Sequence, residues 1–377
     1  MSDRDQQIEQ IKSQQLMEAV QKALFKGRYV FVDCFEGPFT SFVTSRLGGQ
    51  SAAPFDSFNM AYHVGDNPLN VARNRQQVRD DFGFQHLCFM DQNHTNQVMI
   101  VDENNVEQEV FPCDGIVTKL KGVALAVMTA DCLPLMLCDE EKQVIAAVHC
   151  GWRGIASGII ANAVEKMVGL GAQRERIVTY LGPAIGPRSF VVGDDVRDIF
   201  VQQYAPYAEA FVDRMVVNPE LPSVAPTIAS SAFSIEGTSA VLQGRIPVNL
   251  ANPDPASLEE HKVSSTTVTT CMTPSCSLSN PMGAPLDASL PETHMKTDTT
   301  IMEVVKDPIF GEIKYLKIEG KHLCNIYELA VLTLQRAGAV GYVYGGRFDT
   351  FAQSTLFYSY RKAHVTGRMA SVIAINA

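Results

Sequence analysis

The chain has 377 residues, 46% hydrophobic and 19% charged, with 31 lysines and arginines against 41 aspartates and glutamates. This length allows one large domain or two ordinary ones, and the formal charge of −10 argues against a chain built mainly to hold nucleic acid or an anionic membrane surface. There is no apolar run long enough to cross a membrane, and the polar start resembles neither a secretory signal nor a basic transit peptide. Nine cysteines without a CxxC pair predict reduced thiols, so we expect a cytoplasmic protein that binds no nucleic acid and no membrane.

The first half of the chain combines short apolar runs with one well-capped helix. Asn67 offers a side chain that accepts hydrogen bonds from a first helical turn, Pro68 suits that turn, and Gly83 can end the helix. The elements predicted in this half are, in order, a helical extension over 1–27, strands over Tyr29–Phe35 and Phe39–Thr44, and a helix from Pro68 to Phe82.

The second half contains long apolar runs that predict buried strands. Between Val123 and His149 three such runs follow one another, which is typical of strands with both faces covered. The other elements predicted in this half are helices over Ala156–Leu170 and His322–Ala337, and strands over Ile177–Leu181, Gly341–Tyr344 and the last residues of the chain.

The composition changes between Asn218 and Thr300. Serine, threonine and proline account for 33 of these 83 residues, and no periodicity is sustained. Such a stretch buries too little apolar area to offset the entropy lost on ordering it. We therefore expect a long disordered insertion over 218–300 that separates two parts of one domain, 28–217 and 301–377.

The densest chemistry lies around the second and third apolar runs. If the polar residues 139–142 form a four-residue hairpin loop, Cys132 and His149 lie directly opposite each other on one face, with Cβ atoms about 4.5–5.5 Å apart. A thiolate and an imidazole at that separation can share one metal ion. Pro134 can shift this register, because it donates no hydrogen bond to a ladder.

A third ligand is needed to hold a metal well. His94, in a polar segment that enters a strand, is the best candidate, and His63 is the second choice with a structural role expected. Three nitrogen and sulfur ligands with an open fourth position are the arrangement of a catalytic zinc site. Arg153, which follows the only tryptophan at the start of a helix, adds a fixed cation nearby.

A series of motifs then gives a resemblance to a known family. These motifs are TSRLGGQS, FNMAYHVGDNPLNVARNR, CDGIVT, GVALAVMTADCLPLMLCD, AAVHCGWRGIASGI, YLGPAIGPRSFVVG and FYSYRKAHVTGRMASVI. In this order they resemble the multicopper polyphenol oxidoreductase (laccase-like) family, whose members are regarded as zinc-dependent purine nucleoside phosphorylases and adenosine deaminases. The resemblance implies an α/β (α+β) fold, a single domain with a mixed central sheet flanked by helices.

The resemblance also implies ligands, substrates and activities. The metal ligands of the family fall at His94, Cys132 and His149, with zinc as the metal and copper as the alternative. The implied reactions are phosphorolysis of purine nucleosides, including methylthioadenosine, and deamination of adenosine. The late Cys-Thr pair of the family is replaced by Asp349-Thr350, so any role of that cysteine is not carried over.

Several side chains are candidates for catalysis and substrate binding. Asp131, beside a metal ligand, either transfers a proton or orients that ligand, and Cys132 is a nucleophile only when no metal holds it. A guanidinium matches phosphate oxygens, so arginines in the motifs are candidates for a phosphate site. These arginines are Arg153, which we favour, with Arg46, Arg75 and Arg361.

Other functional classes stay open at this point. A copper-dependent polyphenol oxidase needs several histidine-rich sites, and the eight histidines include no HxH pair. A zinc amidase that edits cell-wall precursors and a zinc-stabilised binding module use the same ligands. Homo-oligomerisation also stays open.

Overall fold

The computed structural model describes residues 27–213, 215–216, 264–267, 300–307 and 311–377, with side chains described in 27–213 and 319–377. The N-terminal extension predicted over 1–27 therefore lies outside the described residues, apart from its last residue. Of the predicted insertion over 218–300, the structure describes only residues 264–267 and residue 300. No described helix combines the length and the apolar character needed to span a bilayer.

The first large sheet has six strands and contains both ends of the described chain. Its strands, in their order across the sheet, are β1 (Tyr29–Phe31), β2 (Phe39–Thr44), β19 (Met369–Ile375), β7 (Val123–Thr129), β3 (His86–Met90) and β5 (Val110–Phe111). The pairs from β1 to β7 are antiparallel, whereas β3 runs parallel to β7 and to β5. The sheet is therefore mixed.

The second large sheet also has six strands and contains the central hairpin of the chain. Its strands, in their order across the sheet, are β18 (Val343–Gly345), β10 (Val178–Leu181), β8 (Leu133–Asp139), β9 (Val144–Cys150), β6 (Gly115–Thr118) and β4 (Val98–Ile100). Its two outer pairs are parallel and its inner pairs are antiparallel.

The two sheets pack face to face, and helices cover their outer faces. Along β7, Leu125 lies in the apolar cluster between the sheets while Ala126 lies in the aromatic cluster outside them. Along β8, Met136 lies between the sheets and Leu135 packs outward beneath the helices. The expected α/β class is confirmed. The strands form two packed sheets instead of one central sheet because strands with two apolar faces need a layer on each side.

Five α-helices surround this core within the described residues. They are α1 (Pro68–Phe82), α2 (Trp152–Ala156), α3 (Ile159–Gly169), α4 (Asp194–Gln203) and α5 (Ile326–Arg336), and short 3₁₀ helices cover Val106–Gln108, Arg174–Arg176 and Ala205–Ala210. The prediction for α1 is confirmed at both ends. The Asn67 side chain accepts a hydrogen bond from the amide of Leu69, and Gly83 ends the helix in the left-handed conformation.

Two other helix predictions need correction. The helix expected over Ala156–Leu170 begins only at Ile159, because Gly158, with a φ of 93°, separates it from the short helix that ends at Ala156. The helix expected from His322 begins only at Ile326, since Asn325 caps it and His322 belongs to a strand. That strand is β17 (Lys321–Cys324), which lies between β11 (Val191–Gly193) and β12 (Phe211–Val212) in a three-stranded sheet.

A fourth sheet is formed by strands on both sides of the predicted insertion. Its strands, in their order across the sheet, are β13 (Met215–Val216), β16 (Gly311–Ile318), β15 (Thr300–Asp307) and β14 (Ser264–Thr267). Strand β14 falls within the stretch that the sequence predicts to be disordered, and it pairs antiparallel with β15. The domain division over 28–217 and 301–377 stays a prediction.

Candidate metal centre

The hairpin of β8 and β9 brings Cys132 and His149 together, although not in the predicted register. His149 pairs with Pro134 instead of Cys132, because the loop begins one residue later than expected. Asp139 is buried and belongs to the strand, where its carboxylate accepts hydrogen bonds from the amides of Lys142 and Gln173. The resulting slip of two residues leaves each side chain on its original face, since the side-chain period of a strand is two.

Three potential metal ligands converge at the end of this hairpin. One ligand atom from each of His94, Cys132 and His149 lies within 4.8 Å of the other two. The two imidazole rings meet edge to face, with their centroids 4.7 Å apart. Among the residues whose side chains are described, this is the one cluster of such ligands. The structure therefore brings together all three residues that the sequence selected as ligands.

Asp114, which sequence reasoning did not select, organises this cluster. Its fully buried carboxylate accepts a hydrogen bond from Nδ1 of His149 at 2.8 Å and from the amide of His94 at 3.0 Å. It also accepts hydrogen bonds from the amides of Asn93 and Thr95 at 3.2 and 2.7 Å and from the hydroxyl of Thr95 at 2.7 Å. The segment CDGIVT contained Asp114, but no pattern in it predicts a contact to a residue 35 positions away.

The hydrogen bonds of Asp114 fix the tautomer of His149. Although burial disfavours a charged carboxylate, the hydrogen bonds from His149 and Thr95 hold the pKa of Asp114 well below its usual range. An ionised Asp114 requires a proton on Nδ1 of His149, which leaves Nε2 free to bind a metal. The buried carboxylate thereby orients one ligand ring and the backbone of a second ligand.

The two histidines of the cluster have opposite pKa shifts. Burial alone would lower the pKa of His149, but the Cys132 sulfur and Asp114 outweigh it and raise that pKa to about 9. Burial, followed by repulsion from His149, lowers the pKa of His94. Without metal, His149 therefore carries a proton on both ring nitrogens at neutral pH.

Gly151 leaves the space in which these ligands meet. A Cβ atom at this position would lie 2.5 Å from Nδ1 of His94 and 3.4 Å from Sγ of Cys132. The backbone of Gly151 is extended, with a φ of −65°, so the side chain is excluded by space and not by conformation. The donor set, two imidazoles and one thiol around a glycine, fits a tetrahedral metal ion with one position left open.

The ligands face a cavity of about 490 Å³ that contains three arginines. Arg153 and Arg361, both selected from the sequence, line this cavity together with Arg368, which sequence reasoning missed. None of the three forms an ion pair with a residue whose side chain is described. Asp131 is the one carboxylate among the described residues that line the cavity, so its walls are cationic in a chain of charge −10.

The arginines of the cavity are held by neutral groups. The Arg153 guanidinium lies 4.4 Å from the ring centroid of Trp152, and the Arg361 guanidinium donates to the carbonyl of Val191 at 3.4 Å. Arg368 donates to the carbonyls of Thr366 and Gly367, both at 3.0 Å. None of these contacts is made with a carboxylate.

The structure does not bring the other two predicted arginines to the cavity. Arg46 pairs with Asp56 and also donates to the carbonyl of Ser354 at 2.8 Å. Arg75 donates to the carbonyl of Met60 at 2.8 Å and stacks over the ring of Phe89 at 3.7 Å. Arg46 therefore joins loops to one another, and Arg75 joins α1 to a loop and to β3.

Asp131 and His63 also line the cavity. Asp131 accepts hydrogen bonds from the hydroxyl of Thr350 at 2.7 Å and from the amide of Arg361 at 2.6 Å. His63 does not join the ligand cluster, and burial, followed by repulsion from Arg368, lowers its pKa. His63 is therefore neutral at neutral pH.

Comparisons with known proteins agree with this geometry. The chain matches a family model described as multi-copper polyphenol oxidoreductase laccase over residues 40–222 and 260–376. A purine nucleoside phosphorylase of Pseudomonas aeruginosa is 41% identical over 170 residues, which are 45% of this chain and 67% of that protein. A purine nucleoside phosphorylase of Haemophilus influenzae is 28% identical over 334 residues, which are 88% of this chain and 93% of that protein.

Solved structures share the same fold. The crystal structure of a Neisseria meningitidis protein has a TM-score of 0.61 and 27% sequence identity, and the match covers 93% of this chain and all of that one. The structure of a Bacillus licheniformis protein has a TM-score of 0.58 at 21% identity. Because the family model matches well over half of the residues, this chain belongs to the multi-copper polyphenol oxidoreductase laccase family.

Proposed function

We propose that this chain is a zinc-dependent purine nucleoside phosphorylase, which transfers the ribosyl group of a purine nucleoside to phosphate. One observation carries the proposal: a His-Cys-His cluster and three arginines without carboxylate partners line the same cavity. The relatives from Pseudomonas aeruginosa and Haemophilus influenzae, which are named purine nucleoside phosphorylases, support it.

The metal would be held by His94, Cys132 and His149. Two imidazoles and a thiolate are ligands that zinc prefers, and Asp114 supplies the carboxylate partner that metal-binding histidines commonly have. When bound, zinc supplies Lewis-acid stabilisation of developing negative charge and the capacity to activate water. Asp114 keeps the proton of His149 on Nδ1 throughout, so this imidazole acts as a ligand and not as an acid.

The arginines of the cavity would bind phosphate. Phosphorolysis forms a bond between a phosphate oxygen and C1′ of the ribose while the C1′–N9 bond breaks and the purine leaves. A phosphate dianion in a partly enclosed site needs cationic partners, and Arg153, Arg361 and Arg368 provide them. Because none of these guanidinium groups forms an ion pair with a described carboxylate, their donors are available to the anion.

An apolar wall of the cavity suits the nucleoside. Ile185, Phe190 and Ile326 line the cavity together with the rings of Trp152 and Tyr360. A purine base has two apolar faces that stack on aromatic side chains. The cavity therefore offers a surface for the base beside cationic groups for phosphate.

The finer activities use the same cavity. Phosphorolysis of methylthioadenosine needs the same purine surface and phosphate site. Deamination of adenosine needs an activated water, which a metal on the three ligands could provide. A His₂Cys donor set also binds copper, so a copper-dependent polyphenol oxidase is the main alternative. A zinc amidase acting on cell-wall precursors is the second alternative.

An assay of the metal-loaded protein tests the proposal. Inosine, adenosine and methylthioadenosine are incubated with and without phosphate, and free base, ribose 1-phosphate and inosine are quantified by chromatography. Release of base should require phosphate, and Cys132→Ala should lower it by more than about 100-fold through loss of a metal ligand. Cys34→Ala, which removes a partly buried thiol outside the cavity, is the matched control and should retain activity.

Substitution of an arginine separates phosphate binding from the metal site. Arg153→Gln should raise the KM for phosphate about tenfold, the cost of one charge-assisted hydrogen bond, without changing metal content. Inosine formed from adenosine without phosphate would identify the deaminase activity. If zinc binds stoichiometrically but no nucleoside reacts, while the copper-loaded protein oxidises a phenol or the zinc-loaded protein cleaves a cell-wall amide, the phosphorylase proposal is wrong.

A further inference from the structure

The turn between β7 and β8 connects the metal cluster to a distant part of the chain. Asp131 lies in this turn, directly before the ligand Cys132, and its carboxylate accepts hydrogen bonds from Thr350 and Arg361. These partners lie 219 and 230 positions further along the chain. Each carboxylate oxygen therefore holds a different part of the segment between β18 and β19.

The backbone of Asp131 indicates that its side chain has a specific use. Its φ is 91°, a region that residues other than glycine rarely adopt and that strains their backbone. A glycine would occupy this position without that strain. The aspartate side chain must therefore contribute something that offsets the backbone strain, and its two short hydrogen bonds are that contribution.

The segment held by Asp131 projects from the protein surface. All six residues in 360–365 are exposed, whereas the residues on either side of them, Ser359 and Thr366, are buried. Within this segment, Tyr360 and Arg361 line the cavity. A segment without buried side chains has little apolar packing to keep it in place, so hydrogen bonds must define its position.

The other anchors of the segment are weaker or more distant from the metal cluster. Lys362 donates through its flexible ammonium group to the hydroxyl of Ser354 at 2.7 Å and to the carbonyl of Phe351 at 3.4 Å. The Arg361 guanidinium reaches the carbonyl of Val191 at 3.4 Å. The Asp131 bond at 2.6 Å is the shortest of them, and it joins the main chain of the segment to the turn that carries a metal ligand.

We propose that Asp131 is a positioning residue that fixes the 360–365 segment against the cavity, so that Arg361 and Tyr360 are held ready for the substrates. The identity of those substrates rests on the proposed phosphorylase function. The hydrogen bonds of Asp131 with Thr350 and Arg361, which we call the tether, do not depend on that function. Asp131 then acts on the reaction through Arg361 and Tyr360, and it transfers no proton.

An asparagine distinguishes positioning from proton transfer at this site. The amide oxygen of Asp131→Asn can accept from the amide of Arg361, and its NH₂ group can donate to the hydroxyl oxygen of Thr350, so both contacts are retained. Asparagine also tolerates a positive φ. Asp131→Asn therefore keeps both contacts but has no titratable proton. Asp131→Gly removes both contacts and introduces no backbone strain.

Hydrogen–deuterium exchange of the full metal-loaded chain measures the tether directly. We expect the amides of 360–365 to exchange at least about tenfold faster in Asp131→Gly, and at the wild-type rate in Asp131→Asn, if one charge-assisted hydrogen bond holds the segment. Thr350→Val removes one contact in a buried, nearly isosteric way and should accelerate exchange less than Asp131→Gly. Asp102→Gly, in a partly exposed turn outside the cavity, is the matched control and should leave the exchange rate of the 360–365 amides unchanged.

Steady-state kinetics with inosine and phosphate give the functional result. The KM for phosphate should rise about tenfold in Asp131→Gly and return to within about twofold of the wild type in Asp131→Asn, with zinc content unchanged in both. If Asp131→Asn loses turnover as fully as Asp131→Gly while its exchange stays at the wild-type rate, Asp131 transfers a proton and the proposal is wrong.

The exchange measurement tests the proposal without the activity assay. If the 360–365 amides exchange at the wild-type rate in both Asp131→Gly and Thr350→Val, no tether exists and the proposal is overturned. If Asp131→Gly does not fold, faster exchange in Thr350→Val still supports the tether and an unchanged rate refutes it. If the wild-type chain shows no phosphorolysis, the proposed function fails while the exchange result still decides the tether.

Discussion

The two sides of the cavity are held in place by different means. On the metal side, only His149 of the three candidate ligands is buried, and a fully buried Asp114 accepts hydrogen bonds from five donors around them. On the substrate side, Arg361 projects from a segment whose six residues are all exposed. The metal side is therefore fixed by a buried polar network, whereas the substrate side depends on a few hydrogen bonds at the surface.

This difference corresponds to the needs of the two sides. A metal ion requires its ligands within a few tenths of an ångström, which a buried carboxylate with all its donors can enforce. A substrate has to enter and leave, so the groups that bind it belong to a region of low local stability. Two aspartates illustrate the contrast: Asp114 is inaccessible to solvent, and Asp131 is partly exposed.

The largest effect should follow from removing the buried carboxylate. Asp114→Ala leaves backbone amides and a ring nitrogen without partners inside the protein, so we expect a loss of about 3–5 kcal/mol in the free energy of unfolding. Loss of the partner that orients His149 should weaken zinc binding by about 10–100-fold. Denaturant titration and competition with a chromophoric chelator measure these two quantities.

The matched control for this variant is Asp102→Ala. The Asp102 carboxylate accepts a hydrogen bond from the amide of Asn104 in a surface turn, and removing this carboxylate should leave zinc affinity unchanged. If Asp114→Ala retains wild-type zinc affinity, the buried network does not fix the ligands, and the contrast between the two sides of the cavity is wrong.

A smaller effect, confined to the ligands, should follow from Gly151→Ala. The added methyl group would meet Nδ1 of His94 at 2.5 Å, so His94 must move, and overpacking of this kind costs about 1–3 kcal/mol. We expect zinc affinity to fall by about 10–100-fold, as measured by the same chelator competition. Gly169→Ala is the control, because no atom lies within 4 Å of its added methyl group. Equal zinc affinities in the two variants would show that the ligand geometry tolerates displacement.

The smallest perturbation is a change of pH without any mutation. The pKa of His149 is raised to about 9 in the metal-free cluster, so zinc must displace the proton on Nε2 of His149 at any pH below that value. Burial lowers the pKa of His94, so His94 contributes no second proton at neutral pH. We expect release of at least about one proton per zinc at pH 7, the one from His149, and an apparent dissociation constant that falls at least about tenfold per pH unit between pH 7 and 8.

Calorimetry in buffers with different ionisation enthalpies measures this proton release. The sign follows from competition: a proton and the metal need the same ligand atoms, so affinity weakens as the pH falls. Binding that is independent of pH between 7 and 8 would mean that the cluster holds no proton in the metal-free state.

Sequence reasoning succeeded for features that depend on short stretches of the chain. The caps of α1 involve Asn67 and Gly83, which lie next to the helix they begin and end. The ligands Cys132 and His149 meet because one hairpin connects them, and the slip from the expected register kept both on the same face. Local rules are sufficient in these cases, because the interacting groups are close along the chain.

The same reasoning failed where the partner lies far away. Arg46 and Arg368 both stand in motif segments, yet only Arg368 lines the cavity, since Arg46 is paired with Asp56. Asp114 received no role because its contact to His149 depends on the pairing of β6 with β9. His322 was placed in a helix because β11 and β12, the strands that pair with β17, precede it by more than 100 residues.

The sequence by itself selected the three side chains that form the cluster, both ends of α1 and the succession of buried strands. These depend on residue chemistry and on the periods of two and 3.6 that single elements impose. The tertiary structure decided which strands share a sheet, which carboxylate supports the ligands and which arginines remain unpaired in the cavity. Such contacts join residues that are remote in the chain, and their free energy depends on burial and on the absence of competing partners, which exist only in the folded protein.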